Sequence, residues 1–214
     1  MTVTTIGPHR VRLGDVTTGI ADLMGGDTAD LLYSDPPWGA GNIKYWATMN
    51  RKMTGRVVEP APLDTFLSAI FGIAQRYARR YVLIEYGVRW RDEIQNRGKA
   101  AGLTPRGVID IRYRGTSKGD GLLPLDLHVF TVGAQPIPPG YADGVRGSHG
   151  FDGVKRAFGP LARIVTADRP GAIGLDPCCG MGYTAEACKT FGLAFRGNEL
   201  NEKRLGKTIA RLRK

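Results

Sequence analysis

Cysteine is scarce in this chain of 214 residues, and the three that occur, Cys178, Cys179 and Cys188, crowd into one short stretch. No second cluster of cysteine or histidine stands at metal-ligand spacing, which argues against a disulfide framework and against structural zinc, so no metal is expected. Long apolar runs are missing too. Nothing approaches the length needed to cross a membrane, and the N-terminus lacks the basic-then-apolar pattern of a secretion signal, so a cytoplasmic protein with no membrane partner is expected. Acidic side chains are in deficit: 20 Asp and Glu stand against 30 Lys and Arg, a formal net charge of +10. That sign points to a polyanionic partner and says nothing of the fold. Internal repeats and low-complexity tracts are absent. The length suits one sizeable core better than two, and residues 1–214 read as a single domain.

What is present alternates between strand and helix. Val11-Arg12-Leu13 reads as a short strand ending at the turn Gly14-Asp15, residues 18–24 as a brief helix, and residues 30–34 as a strand. Residues 39–58 combine glycines, bases and polar side chains without a clear period. They read as a mobile loop whose Lys44, Tyr45, Trp46, Arg51 and Lys52 are candidate substrate contacts, though a plain surface connection has the same composition. Phe66, Leu67, Ile70, Phe71, Ile73 and Ala74 follow helical spacing within 63–80, and a β-branched and aromatic strand follows at 81–86. Further along, 90–101 reads as helix, 107–113 and 126–132 as strands, 115–123 as a polar loop and 133–153 as irregular. A helix at 154–167 should be started or bent by Gly159-Pro160. Strands at 172–175 and 193–196 frame a helix at 184–191, and a basic helix covers 202–213. Seven strands alternating with helices predict an α/β, Rossmann-like architecture: a mainly parallel seven-stranded sheet with helices on both faces.

Asp35-Pro36-Pro37-Trp38 directly follows the apolar run Leu31-Leu32-Tyr33. An exocyclic amine on a nucleobase is a poor nucleophile because its lone pair is delocalised into the ring. Two hydrogen-bond acceptors, a carboxylate such as Asp35 and a carbonyl such as that of Pro36, can hold it and draw it towards tetrahedral geometry. The prolines fix φ and remove N–H donors, which stiffens the turn, and Trp38 offers a flat face for an extruded base. The same residues also suit a Pro-Pro turn ending a buried strand, with Trp38 as a core anchor.

The second constellation is Asp176-Pro177-Cys178-Cys179-Gly180-Met181-Gly182, between a strand and a helix. Strand, glycine-containing turn and helix N-terminus is how α/β proteins hold nucleotide-like ligands, and Gly180 and Gly182 would let backbone approach the ligand closely. A third glycine at dinucleotide spacing is lacking and an acid precedes the turn, so a pyrophosphate would be repelled whereas the sulfonium and ammonium of S-adenosyl-L-methionine would be welcome. Glu199, at the end of the next strand, is placed to accept from two ribose hydroxyls. A tight packing turn with a solvated Glu has the same pattern. Cys178 and Cys179 read as small buried residues beside the loop, since no histidine is near to activate a thiolate.

Together these motifs resemble the beta class of S-adenosylmethionine-dependent DNA amino-methyltransferases, in which a catalytic D-P-P-[YW] precedes the cofactor loop D-P-F-x-G-x-G-T in circularly permuted order. Residues 11–15, 29–38, 176–184 and 198–201 match the family's segments, so the resemblance spans nearly the whole chain. It implies that Asp35, Pro36, Pro37 and Trp38 are catalytic, with Trp38 stacking on the base. It implies that Asp15, Asp35, Asp176, Pro177, Cys178, Gly180, Gly182, Thr184, Glu199 and Asn201 surround S-adenosyl-L-methionine. It also implies that the N-terminal strand lies beside the ribose-binding one, which would bring Asp15 to the cofactor adenine, although a simple turn Asp fits equally. The D-P-P form points to adenine N6 in DNA, with cytosine N4 or adenine in RNA as alternatives. Cys178-Cys179 replace the family's Phe-small pair, and little room remains between 132 and 154 for a target-recognition domain. Specificity would then be low, or come from the loops at 39–58 and 115–123, or from a second copy or a specificity partner. A nucleic-acid-binding scaffold subunit with a methyltransferase fold is the non-enzymatic alternative.

Overall fold

The computed structural model describes residues 2–114, 121–148 and 150–214. All eight of its strands belong to one sheet: β1 (Thr2–Ile6), β2 (His9–Leu13), β3 (Ala29–Ser34), β4 (Ala78–Gly87), β5 (Thr104–Arg114), β6 (Leu122–Thr131), β7 (Ile173–Asp176) and β8 (Ala194–Glu199). Their order across the sheet is β1-β2-β8-β7-β3-β4-β6-β5. Pairs β2–β8, β8–β7, β7–β3 and β3–β4 are parallel, whereas β1–β2, β4–β6 and β6–β5 are antiparallel. The sheet is therefore mixed, and it has one strand more than the seven expected. The additional strand, Thr-Val-Thr-Thr-Ile, is β-branched but mostly polar and lies at an edge, so no buried apolar run announces it.

Among the described residues, eight helices cover the two faces in chain order. α1 (Ala21–Met24), α2 (Ala40–Thr54), α3 (Leu63–Tyr77) and α4 (Arg91–Ala100) lie on one face, and α5 (Tyr141–Val145), α6 (Gly150–Asp168), α7 (Tyr183–Thr190) and α8 (Glu202–Arg213) on the other. The alternation of the central strand explains the segregation. Leu31 and Tyr33 of β3 face Phe158, Leu161 and Val165 of α6, while Leu32 points the other way, to Ile70, Phe71 and Ala74 of α3. All six residues of β3 are buried, as a strand covered on both faces requires.

Three expectations are corrected. The loop at 39–58 is largely the helix α2, which only Ile43 and Asn50 anchor by burial, so its apolar period is too weak to read. α6 begins at Gly150, earlier than expected, and carries Pro160 in its interior, so the proline does not start the helix. Gly159 beside it packs against the Phe191 ring, which a Cβ would meet at 2.6 Å. The irregular stretch 133–153 contains α5, held by a bond from the Tyr141 hydroxyl to the carbonyl of Ala157 at 2.6 Å. Residues 115–120 of the polar loop lie outside the described residues, while Leu122 and Leu123 belong to β6. Among the described residues no helix is long and apolar enough to cross a membrane.

Gly174 sets the spacing between the sheet and the α6–α7 layer. A Cβ there would lie 2.3 Å from Cys188 Sγ and 3.1 Å from Phe158 Cζ. Gly174→Ala should overpack this layer and lower unfolding stability by about 1–3 kcal/mol, measured by urea denaturation; an unchanged midpoint would show that α7 shifts freely.

Candidate active site

The register of the parallel strands brings distant residues to one edge of the sheet. Leu13 pairs with Glu199, Asp176 with Gly197, and Leu32 with Leu175, so Asp15, Glu199, Asp176 and Asp35 all emerge at strand carboxyl ends. Asp15, Glu199 and Asp35 face a cavity of about 780 Å³, a volume typical of small-molecule sites. Asp15, Asp35, Pro36, Pro37, Trp38, Pro177, Cys178, Glu199 and Asn201 line it, joined by Tyr45, Trp46 and Asn50 of α2, Tyr113 of β5 and Arg204 of α8.

The tetrapeptide is held from several sides. Trp38 Nε1 donates to Asp35 Oδ1 at 3.0 Å, which couples the ring to the acid, and the Trp38 ring meets Tyr113 edge-on at 4.7 Å between centroids. Among the described residues nothing donates to the other Asp35 oxygen. The chain then turns sharply at Gly39, whose φ of +97° and contact with the Trp90 ring leave no place for a side chain. The Gly39 amide donates to the Tyr86 hydroxyl at 2.9 Å.

The loop after β7 is tied to β8. Glu199 Oε2 accepts from the Gly180 amide and Oε1 from the Asn201 amide, each at 2.8 Å. Cys179 N donates to the carbonyl of Asn198 at 2.9 Å, and Cys178 N to Asp176 Oδ1 at 3.0 Å. The glycines serve packing here. A Cβ on Gly182 would lie 2.8 Å from the Thr208 backbone, and one on Gly180 would lie 2.4 Å from Arg204 Nη2. Gly180, Gly182, Thr184 and Asp176 thus stand behind the cavity wall, and the Thr184 side chain hydrogen-bonds Asp176. Asn201 lines the cavity but has a structural task. It caps α8 through Arg204 N at 3.1 Å and donates to Asn50 Oδ1 at 3.1 Å. Asp15 Oδ1 accepts from the backbone and hydroxyl of Thr17, as a turn Asp does, and the residue also lines the cavity.

Of the candidate contacts on α2, Tyr45 and Trp46 line the cavity, whereas Lys44, Arg51 and Lys52 lie exposed outside it. Arg12, Tyr113, Glu85 and Arg204 were not foreseen. Arg12 is fully buried and bonds Asn198 Oδ1 at 2.6 Å and the Asp15 carbonyl at 3.3 Å, pinning the Gly14-Asp15 turn to β8. Its position in the alternating strand Val11-Arg12-Leu13 carries no signal of that task.

Carboxylates dominate the electrostatics. Solvent reaches Asp35 through the cavity, yet the enclosing walls raise its carboxyl from 3.8 to about 6, against the pull of the Trp38 bond and Arg204. Asp176 is raised to about 7, chiefly by burial. Glu85, which accepts from the Tyr33 hydroxyl, is raised to about 8 by burial and by Asp35. Burial pushes the thiols of Cys178 and Cys179 well above their usual range, so neither forms a ready thiolate.

No family model and no curated protein matches the chain. Solved structures do. PvuII DNA methyltransferase, which is cytosine-N4-specific, aligns over 97% of this chain and 87% of its own, with a TM-score of 0.60 at 9% identity. The SAM complex of M1.HpyAVI covers 94% of this chain and 98% of its own, with a TM-score of 0.59 at 16% identity. TTHA0409 from Thermus thermophilus, complexed with S-adenosyl-L-methionine, covers 95% and 93%, with a TM-score of 0.57 at 17% identity. At these identities the likeness establishes the fold: an α/β methyltransferase architecture.

Acids raised above their ordinary values bind protons more tightly folded than unfolded. Their contribution to stability is therefore complete below pH 4 and lost as pH rises through about 6, 7 and 8, the values for Asp35, Asp176 and Glu85. Unfolding free energy of the ligand-free protein should fall between pH 5 and 8.5 in urea titrations, and Asp176→Asn should flatten that slope. An identical slope in the variant would contradict the assignment.

Proposed function

We propose that the chain transfers a methyl group from S-adenosyl-L-methionine to the exocyclic N6 amino group of adenine in DNA, acting as a single methyltransferase unit. The observation that carries this reading is that one cavity unites Asp35-Pro36-Pro37-Trp38 with Asp15, Pro177-Cys178 and Glu199. The residues fit the cofactor. Glu199 spends one acceptor position of each oxygen on a backbone amide and keeps the others for two ribose hydroxyls. Asp15 stands beyond it for the adenine, and Asp176 and Asp35 supply the negative potential that a sulfonium needs. When bound, S-adenosyl-L-methionine supplies an electrophilic methyl group.

The protein's own part is to hold the amine. The Asp35 carboxylate and the Pro36 carbonyl accept from its two N–H groups and orient the lone pair, and Trp38 fixes the base plane. Acceptance strengthens as the amine becomes cationic, so these groups stabilise the transition state more than the ground state. Orientation contributes on the order of 7–11 kcal/mol for well-placed partners. Asp35 must be ionised to act, so its raised value sets an acid limit on activity. The net charge of +10 and the exposed Lys44, Arg51 and Lys52 suit a phosphate backbone near the cavity mouth. Adenine is preferred to cytosine on the D-P-P form of the motif.

Incubation with methyl-labelled S-adenosylmethionine and unmethylated DNA, followed by nucleoside analysis, should give N6-methyladenine. Label on cytosine N4 would replace the base assignment, and label on RNA alone would replace the substrate. Asp35→Asn keeps an acceptor for Trp38 but removes the charge, and kcat should drop about 10²–10³-fold. For the unaltered chain, kcat/KM should fall tenfold per unit below pH of about 6.

A further inference from the structure

Arg204 is the third residue of α8, where the positive end of the helix dipole disfavours a cation. It nevertheless turns into the cavity, with its guanidinium 4.2 Å from the centroid of the Trp46 ring and close over Gly180. Among the described residues no oxygen accepts from this guanidinium and no carboxylate lies within ion-pairing distance. Arg12, Arg91, Arg97, Arg196 and Arg211, in contrast, all bond carboxylates. Arg204 is thus a half-buried planar donor set, braced by an aromatic face, that the protein does not itself satisfy. It shares the cavity lining with Asp35 and Tyr113, and its charge is felt by both.

What Arg204 would take is an oxyanion, since the guanidinium fork matches a carboxylate or a phosphate in two parallel bonds. Two sources offer that chemistry: the amino-acid end of the methyl donor and a phosphate of the substrate strand. Depth favours the first. Arg204 lies inside the cavity against the Gly180 turn, whereas the exposed bases of α2 already stand outside it. If Glu199 takes the ribose and the methyl group must reach Asp35, the sulfur lies on the β3 side and its carboxylate hangs a short carbon chain away, beside Arg204. Resting on the proposed function, we infer that Arg204, braced on Trp46, anchors the carboxylate of the methyl donor and makes the site prefer donors that carry one.

Titration calorimetry of the full chain with S-adenosylmethionine, its decarboxylated analogue and 5′-methylthioadenosine tests this. The unaltered protein should bind S-adenosylmethionine about tenfold to a hundredfold more tightly than the decarboxylated analogue. Arg204→Gln should abolish that difference while leaving methylthioadenosine affinity unchanged, which also shows that the variant is folded. Arg204→Lys should restore part of the preference, since it keeps the charge without the fork. Retention of the full preference in Arg204→Gln overturns the inference. So does a variant whose DNA affinity loses about one unit of salt dependence with cofactor preference intact, because it assigns the guanidinium to a phosphate. An unaltered protein that binds methylthioadenosine without preferring the carboxylate overturns the anchor alone, and one that binds none of the three overturns the proposed function with it.

Discussion

The site exists because the two ends of the chain pair in parallel. β2 and β8 meet with Leu13 opposite Glu199, the Gly14 amide donates to the Glu199 carbonyl at 3.0 Å, and Arg12 reaches Asn198 across a separation of 186 residues. Without this join Asp15 and Glu199 would belong to different regions. The pairing sets Arg10 opposite Arg196, a like-charge pair that would oppose it, and Asp27 resolves the conflict by bridging both guanidinium groups. A contact of such sequence separation closes a very long loop, an entropic cost that tends to slow folding.

What could be read from the sequence was local. Asp35-Pro36-Pro37-Trp38 and the stretch from Asp176 to Gly182 combine a buried strand with residues that constrain the following turn, so their positions at strand ends followed from a few neighbours. Glu199 followed in the same way. What could not be read depends on tertiary context. α2 is polar on most of its surface because it walls a cavity instead of covering a core, and that removes the apolar period by which a helix is recognised. Arg204 sits among Lys203, Lys207, Arg211 and Arg213, where any base looks like part of a solvated face. Tyr113 is one of several alternating residues in a strand until the hairpin brings it edge-on to Trp38. At Gly180 and Gly182 a packing demand is visible only in the fold, where Arg204 and Thr208 of α8 occupy the space a Cβ would need.

The carboxylates and the aromatic wall divide the cavity between two kinds of task. Asp15, Asp176 and Glu199 lie along the β2–β8–β7 side with backbone amides bound to each carboxylate or turned towards its loop, an arrangement that fixes position. Asp35 differs. Among the described residues it is bonded only by the Trp38 indole, and it remains open to the cavity, so its charge responds to what lies beside it. One edge of the sheet thus sets acids held in place by backbone amides next to one whose charge is free to respond.

The three tryptophans of the chain all belong to this edge: Trp38 and Trp46 line the cavity, and Trp90 packs against the Gly39 turn and Tyr86. One indole is hydrogen-bonded to a carboxylate and the other two lie under the guanidinium groups of Arg204 and Arg89, and no tryptophan elsewhere contributes background. The ultraviolet emission of the unlabelled protein is therefore an optical record of its cavity.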